Sequence, residues 1–188
     1  MYSKFFKRSF DLILVLLAIL IFSPLFATIA FLIKFFDNGP VFFISKRVGK
    51  NGQLFDLYKF RSMPISTPLY SSKIIKDVEL TKLGKFIRRS NLDELPQLLN
   101  ILKGDMSIVG PRPSLKSQDE LNTLRKLNGS ILCLPGLTGL AQINSYDNMS
   151  DNVKASFDFE YAKKITFLND LKIIILTFSY LFRPPPTY

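Results

Sequence analysis

A mainly helical α+β fold held at a membrane is what this sequence predicts, and three features predict it. Leu12 to Ile33 is an apolar run without a charge. Two strand-like runs flank an Asn51-Gly52 turn. Leu95, Leu98, Leu99 and Leu102 recur at helical spacing behind the acidic pair Asp93-Glu94. The chain has 188 residues, 47% of them hydrophobic. Setting the apolar run aside leaves roughly 150 residues, enough for one well-filled core.

The apolar run is long enough to cross a bilayer core of about 30 Å as a helix, and longer than the apolar part of a secretory signal. Lys4, Lys7 and Arg8 precede it, and Lys34, Lys46, Arg47 and Lys50 follow it. The Lys/Arg bias that orients a spanning helix is therefore almost balanced. Ser23-Pro24 stands at the centre. The proline ring frees the carbonyl of Leu20, and the Ser23 hydroxyl can bond back into the same turn. Two arrangements follow: a spanning helix with a proline kink, or a helix that enters to about the midplane and returns. In the second, each half of about eleven residues reaches roughly 16 Å. Both basic flanks then stay on one face, where anionic headgroups attract them.

Val41 to Val48 and Leu54 to Arg61 read as a short hairpin, since Asn-Gly is a strong turn signal. Pro64 to Ser72 reads as a loop and Thr81 to Arg89 as a basic helix. The next helix should start at about Asp93 or Glu94, because Pro96 is tolerated only in a first turn, and stop at Gly104. Both carboxylates then lie at the helix's positive end, which favours the ionised form, with Arg88 and Arg89 just upstream. A charged, positioned carboxylate can be a nucleophile. An N-cap aspartate beside a dipole-matched surface glutamate is the plainer alternative.

Downstream, Pro111 and Pro113 restrict the backbone on both sides of Arg112. Its guanidinium is thereby held in a narrow range of directions, which suits a phosphate and equally suits a rigid turn with a solvent-facing arginine. Pro135-Gly136 opens a further turn that leads to Gln142. No GxGxxG or P-loop pattern occurs. Leu168 to Phe182 is apolar and too short to span a membrane; it fits an interfacial amphipathic helix or one packed on the core, and Arg183 with three prolines ends it.

Composition narrows the chemistry. With no histidine and one cysteine, the chain has no His/Cys zinc site, no Ser-His-Asp triad and no Cys-His pair. Cys133 can form no internal disulfide. Carboxylates, lysines, arginines, hydroxyls and a hard cation such as Mg²⁺ remain, an inventory suited to phosphate chemistry. The net charge of +10 points the same way without choosing among nucleic acid, lipid headgroups and a nucleotide-linked substrate. No nucleic-acid module is recognisable.

An ordered set of motifs runs nearly end to end: Lys7-Arg8, Ser23-Pro24, Tyr58-Lys59-Phe60-Arg61-Ser62-Met63, Leu92 to Gln97, Lys103 to Ser107, Gly110-Pro111-Arg112-Pro113 and Pro135-Gly136-Leu137-Thr138-Gly139. In this order the set resembles the bacterial sugar transferases, and more narrowly the small monotopic phosphoglycosyl transferases. The resemblance implies a re-entrant membrane helix over residues 1–36, broken at Ser23-Pro24, and a catalytic domain over 37–188 with interfacial amphipathic helices. It places the enzyme at the cytoplasmic face of a bacterial inner membrane. Lys7 and Arg8 would belong to the topology signal.

The activity implied is transfer of a sugar 1-phosphate from a UDP-sugar to undecaprenyl phosphate, with release of UMP, as the first step of a surface glycan such as capsule or exopolysaccharide. Downstream glycosyltransferases would be its pathway partners. Carried over by motif, Asp93 is the nucleophile and Glu94 a catalytic Mg²⁺ ligand. Arg88, Arg112 with Pro111 and Pro113, Lys59 and Gln142 would serve the phosphates. A UDP-linked N-acetylhexosamine is the first expectation for the donor and a UDP-hexose the second. Two departures from the family's pattern bear on that choice. Ser145-Tyr146 stands where many members carry Gly-Arg, and Leu134 stands where an arginine is common. A membrane anchor or scaffold without activity is the competing reading, in which the acidic pair is only a cap.

Overall fold

One helix, α1 (Lys7–Asp37), takes up the whole apolar run and both its edges, preceded by a π-helical turn at Tyr2–Phe6. The computed structural model describes residues 2–37, 39–63, 82–144 and 149–181. The expected loop from Pro64 to Ser72 and the tetrapeptide 145–148 lie outside these. Helix α1 continues through Pro24. The hydrogen bond foreseen at the break is present: Ser23 Oγ donates to Leu20 O at 3.0 Å, giving back a partner to the carbonyl that the proline ring deprives.

Both halves of α1 pack against the rest of the chain. On one side of Pro24, Val15 is buried with Leu57, Leu98, Ile101 and Met106. On the other, Ile29 and Ile33 are buried with Phe60 and Ile87, and the Phe26 ring lies 4.6 Å from that of Phe60. Between these two anchorages Leu20 and Ile21 are 73% and 68% exposed. An uncovered apolar tip is thus framed by two packed flanks.

Lys7 and Arg8, ahead of the run, have partners within the protein. Lys7 Nζ meets the fully buried Asp170 carboxylate at 2.6 Å, and Tyr2 and Tyr161 hydroxyls donate to the same group. Arg8 donates to the carbonyls of Ile101 and Leu102 at 2.6 and 3.0 Å. These two residues of the expected topology signal thus each have an internal role. A buried carboxylate requires a counter-charge, and the last carbonyls of a helix require donors.

The hairpin forms as expected. Strands β1 (Phe42–Val48) and β2 (Leu54–Phe60) are antiparallel, with Ser45 opposite Leu57. Asn51 and Gly52 take positive φ in the connection, at 59° and 77°. Helix α2 (Lys82–Arg89) follows, then α3 (Gln97–Lys103). Strand β3 (Ser107–Val109) pairs in parallel with β4 (Gly136–Thr138), and Val48 bridges to Ser114. Between β3 and β4 lies α4 (Asp119–Asn128). Helices α5 (Leu140–Ile143), α6 (Asp151–Lys163) and α7 (Phe167–Leu181) complete the chain. A third core cluster joins Val109, Tyr161 and Ile173. Helix α7 packs on the core through Asp170 and Ile173, which are buried, while Leu168, Ile175 and Phe178 form an exposed apolar face.

Candidate active site

The acidic pair does not open α3. Leu92–Glu94 is a separate 3-10 turn, and Pro96 is the N-cap of a helix that starts at Gln97. Pro96 has no N–H to contribute and is tolerated ahead of the first turn, so the helix begins one residue behind it. The chain reaches the acidic turn through Asn91 in the left-handed conformation, φ 54°, which asparagine tolerates better than most residues. That residue reverses the path after α2 and sets Arg88 near Asp93. Leu92 and Leu95 on either side of the pair pack into the cluster formed by Ile29, Ile33, Phe60 and Ile87. The apolar helix α1 therefore supports the acidic turn directly.

Lys59, next to Phe60 on β2, reaches both carboxylates: its Nζ is 2.7 Å from Glu94 Oε1 and 3.4 Å from Asp93 Oδ2. Arg112 Nη2 lies 3.0 Å from the same Glu94 oxygen. Asp93 is only 7% exposed. Burial pushes its carboxyl above the ordinary value; Lys59 opposes this, the Glu94 charge reinforces it, and Arg88 opposes it more weakly, leaving the direction upward. Burial would raise Glu94 as well, but the Arg112 and Lys59 cations outweigh it and hold that carboxyl well below the usual carboxylate range. The protonation balance thus rests on burial and three cations, where a helix dipole was expected to set it. One carboxyl is held toward its ionised form by two cations, and its neighbour is pushed the other way by burial.

The Pro-Arg-Pro segment is held from outside. Gly136 N–H donates to Pro111 O at 2.9 Å and Val48 N–H to Ser114 O at 2.9 Å. Gly110 and Gly136 pass so closely that a Cβ on either would overlap the other's backbone. Of the arginines near the pair, Arg88 is placed to act on Asp93 and Arg112 on Glu94. Among the described residues no group of three or more acidic, His or Cys side chains could cage a metal ion. Mg²⁺ needs less, since one or two carboxylates with substrate phosphates suffice. An ionised Glu94 adjoining Asp93 fits that requirement.

Comparison with known proteins bears on the chain as a whole. A family model described as bacterial sugar transferase matches residues 2–184. The chain belongs to the bacterial sugar transferase family. It is therefore a sugar-transferring enzyme. Over 91% of its length this sugar transferase is 39% identical to the exopolysaccharide production protein ExoY of Rhizobium meliloti, covering 83% of that protein. It is 36% identical to an undecaprenyl-phosphate galactose phosphotransferase of Salmonella typhimurium, over 99% of the chain and 42% of the relative. It is 37% identical to an Aeromonas hydrophila UDP-N-acetylgalactosamine-undecaprenyl-phosphate N-acetylgalactosaminephosphotransferase, over 92% and 43% respectively. The chain thus spans less than half of the latter two proteins.

Gln142 of the sugar transferase is not seen to meet the carboxylates. Its amide is buried beside Gly139, and neither amide atom has a partner among the described residues. Ser145-Tyr146, where the sequence departs from the family's pattern, lies outside the described residues. Sequence reasoning missed Asn100. Fully buried on α3, it accepts from Tyr58 N–H at 3.0 Å and donates to Asp56 O at 2.7 Å, occupying the edge of β2 on both sides of Leu57, just ahead of Lys59. An asparagine at an otherwise apolar helix position, between Leu99 and Ile101, is the signal that could have marked it.

Proposed function

We propose that this sugar transferase is a phosphoglycosyl transferase that moves a sugar 1-phosphate from a UDP-sugar to undecaprenyl phosphate, initiating exopolysaccharide or capsule synthesis. The carrying observation is Asp93, buried, aimed at by Lys59 and adjoining the Arg112-paired Glu94. An Asp93 oxygen attacks the sugar-linked phosphorus of the donor. The bond from that phosphorus to the bridging oxygen breaks, and UMP departs with the electron pair. An oxygen of undecaprenyl phosphate then attacks the same phosphorus and Asp93 leaves as a carboxylate, so one difficult displacement becomes two. Both nucleophiles are already anions, so no general base is required, in keeping with a chain that has no histidine.

Arg112 and Arg88 supply fixed positive charge to the phosphoryl oxygens, and Lys59 orients the carboxylate pair before donor arrives. Glu94, with Asp93 beside it, is the residue that would hold Mg²⁺ together with the donor phosphates. When bound, the cation supplies charge neutralisation at the phosphates.

The apolar helix enters and leaves the membrane on the cytoplasmic face in this reading. What supports it is the packing of α1 on both sides of Pro24 against elements that carry Lys46, Lys59 and Asp56, which a bilayer core would not accept. The relatives whose names give a sugar include galactose, N-acetylgalactosamine and glucose transferases at nearly equal identity, so similarity alone does not select the sugar. Release of UMP from a panel of UDP-sugars, measured with and without undecaprenyl phosphate, tests the activity and the donor together. Absence of UMP release from every UDP-sugar in an intact, membrane-extracted preparation would leave a scaffold as the better description.

A further inference from the structure

We propose that Arg125, paired with Asp158, is a positioning residue that fixes the direction of Arg112 through the Arg112 carbonyl. The proposal rests on the phosphate-binding reading of Arg112 and adds what holds it in place. Arg125 sits in the last turn of α4 and is 3% exposed; Asp158 on α6 is 2% exposed. A guanidinium so buried is cut off from solvent and must find its acceptors within the protein. It is costly to bury unless its donors are used.

Asp158 Oδ2 takes Nε at 2.8 Å and lies 2.6 Å from Nη2. The other side of the fork points away from this partner: Nη1 donates to Arg112 O at 3.0 Å. The ion pair thus holds the guanidinium plane, and the plane holds the loop. A lysine could satisfy one of these partners but lacks the fixed fork that reaches both.

The consequence follows from the flanking prolines. Pro111 and Pro113 fix their own φ angles and exclude helical geometry for Arg112, but they leave its ψ a range to explore. The partner of the Arg112 carbonyl selects within that range. The neighbouring carbonyls of Pro111 and Ser114 are held by Gly136 and Val48, so Arg125 supplies the support at the position that matters for the side chain. From there the Arg112 guanidinium extends to Glu94, 3.0 Å away. Small displacements of such a group are expensive; about 1 Å can lower a rate by a factor of ~100.

A double-mutant cycle separates positioning of Arg112 from general support of the fold. Arg125→Met combined with Asp158→Leu removes both charges together, which a core often tolerates. Arg125→Lys provides a second arm should that pair fail to fold. The quantity measured is kcat/KM for the UDP-sugar by UMP release, in the wild-type background and with Arg112→Ala, alongside the thermal midpoint of each variant. The expected result is a loss of about tenfold or more in the wild-type background and less than about twofold with Arg112→Ala. Equal fractional losses in both backgrounds would show that Arg125 supports the fold alone and overturn the proposal. So would a folded Arg125 variant with the wild-type rate. Arg112→Ala at full activity would instead overturn the reading of Arg112 itself, and the positioning role with it.

Discussion

Lys59 and Glu94 form the closest charged contact of the site, with Nζ 2.7 Å from Oε1, and the same ammonium stands 3.4 Å from Asp93 Oδ2. One cation therefore serves two carboxylates of opposite tendency. Asp93 is raised by burial, whereas Glu94 is held low by Arg112 and Lys59 in spite of it. Two adjacent residues of like chemistry are thus differentiated by their surroundings, as acid and base pairs are in other active sites.

Asp93→Asn is expected to abolish turnover and to abolish the covalent phosphosugar adduct, read by intact-protein mass spectrometry after incubation with donor alone. The amide keeps the size of the side chain and removes a charge that burial disfavours, so the thermal midpoint should not fall. An Asp93→Asn protein that still releases UMP at near the normal rate contradicts nucleophilic attack by Asp93.

The acid limb of kcat/KM should lie above the ordinary aspartate value of about 3.9, because protonation of a raised Asp93 removes the nucleophile. Lys59 lowers the Asp93 pKa, so Lys59→Met should move the limb to still higher pH and reduce the neutral-pH rate. The sign is fixed: loss of a cation favours the uncharged carboxyl. A pH profile that shifts downward in Lys59→Met would mean that a different group controls the limb.

Arg112→Lys keeps the positive charge and loses the planar pair of donors, and a rate reduction of about tenfold is expected. Since Arg112 also lowers the Glu94 pKa, the variant is best measured at pH 7 and above, where Glu94 stays ionised in both proteins. Unchanged kinetics there would reduce Arg112 to a turn residue.

Chelation of divalent cations should stop UMP release, and Mg²⁺ should restore it. Glu94→Gln is expected to raise the Mg²⁺ concentration needed for half-maximal activity as well as to lower the maximum rate. If activity survives exhaustive chelation, Lys59 and the arginines carry the phosphate charge alone and Glu94 acts only as their counter-ion.

Much of this arrangement was legible because it is local. The Asn51-Gly52 turn, the stop at Gly104 and the Ser23 hydrogen bond to Leu20 each follow from residues within a few positions of one another. Misplacement of the acidic pair had a local cause too: Pro96 was read as lying inside a first turn, yet it caps the helix from outside. Partnerships across long sequence separations were not legible. Nothing in Lys7 announces Asp170, and nothing in Arg125 announces Asp158 or the Arg112 carbonyl. Such buried pairs have no periodicity, because each is specified by where two distant elements meet.

The last prediction concerns the path of α1. Its two packed flanks, Val15 on one side of Pro24 and Ile29 with Ile33 on the other, rest on the same strand β2, through Leu57 and Phe60, with α3 beneath the first and α2 beneath the second. A straight helix crossing the membrane would have to pull one flank off these partners and expose Leu57 or Phe60. Single cysteines introduced as Ser3→Cys and Pro40→Cys, each with Cys133→Ser, should both be shielded from an impermeant thiol reagent in intact cells and both react after the membrane is opened. Pro24→Ala restores a backbone donor for Leu20 and relieves the ring clash, making a straight course easier. A fraction of molecules should then label at one site from outside, and activity should fall in proportion, since Leu92 and Leu95 tie the Asp93 turn to the second half of the helix. Labelling of either site from outside in the protein with Pro24 intact would establish a spanning helix, with the catalytic domain supported by one half of α1 alone.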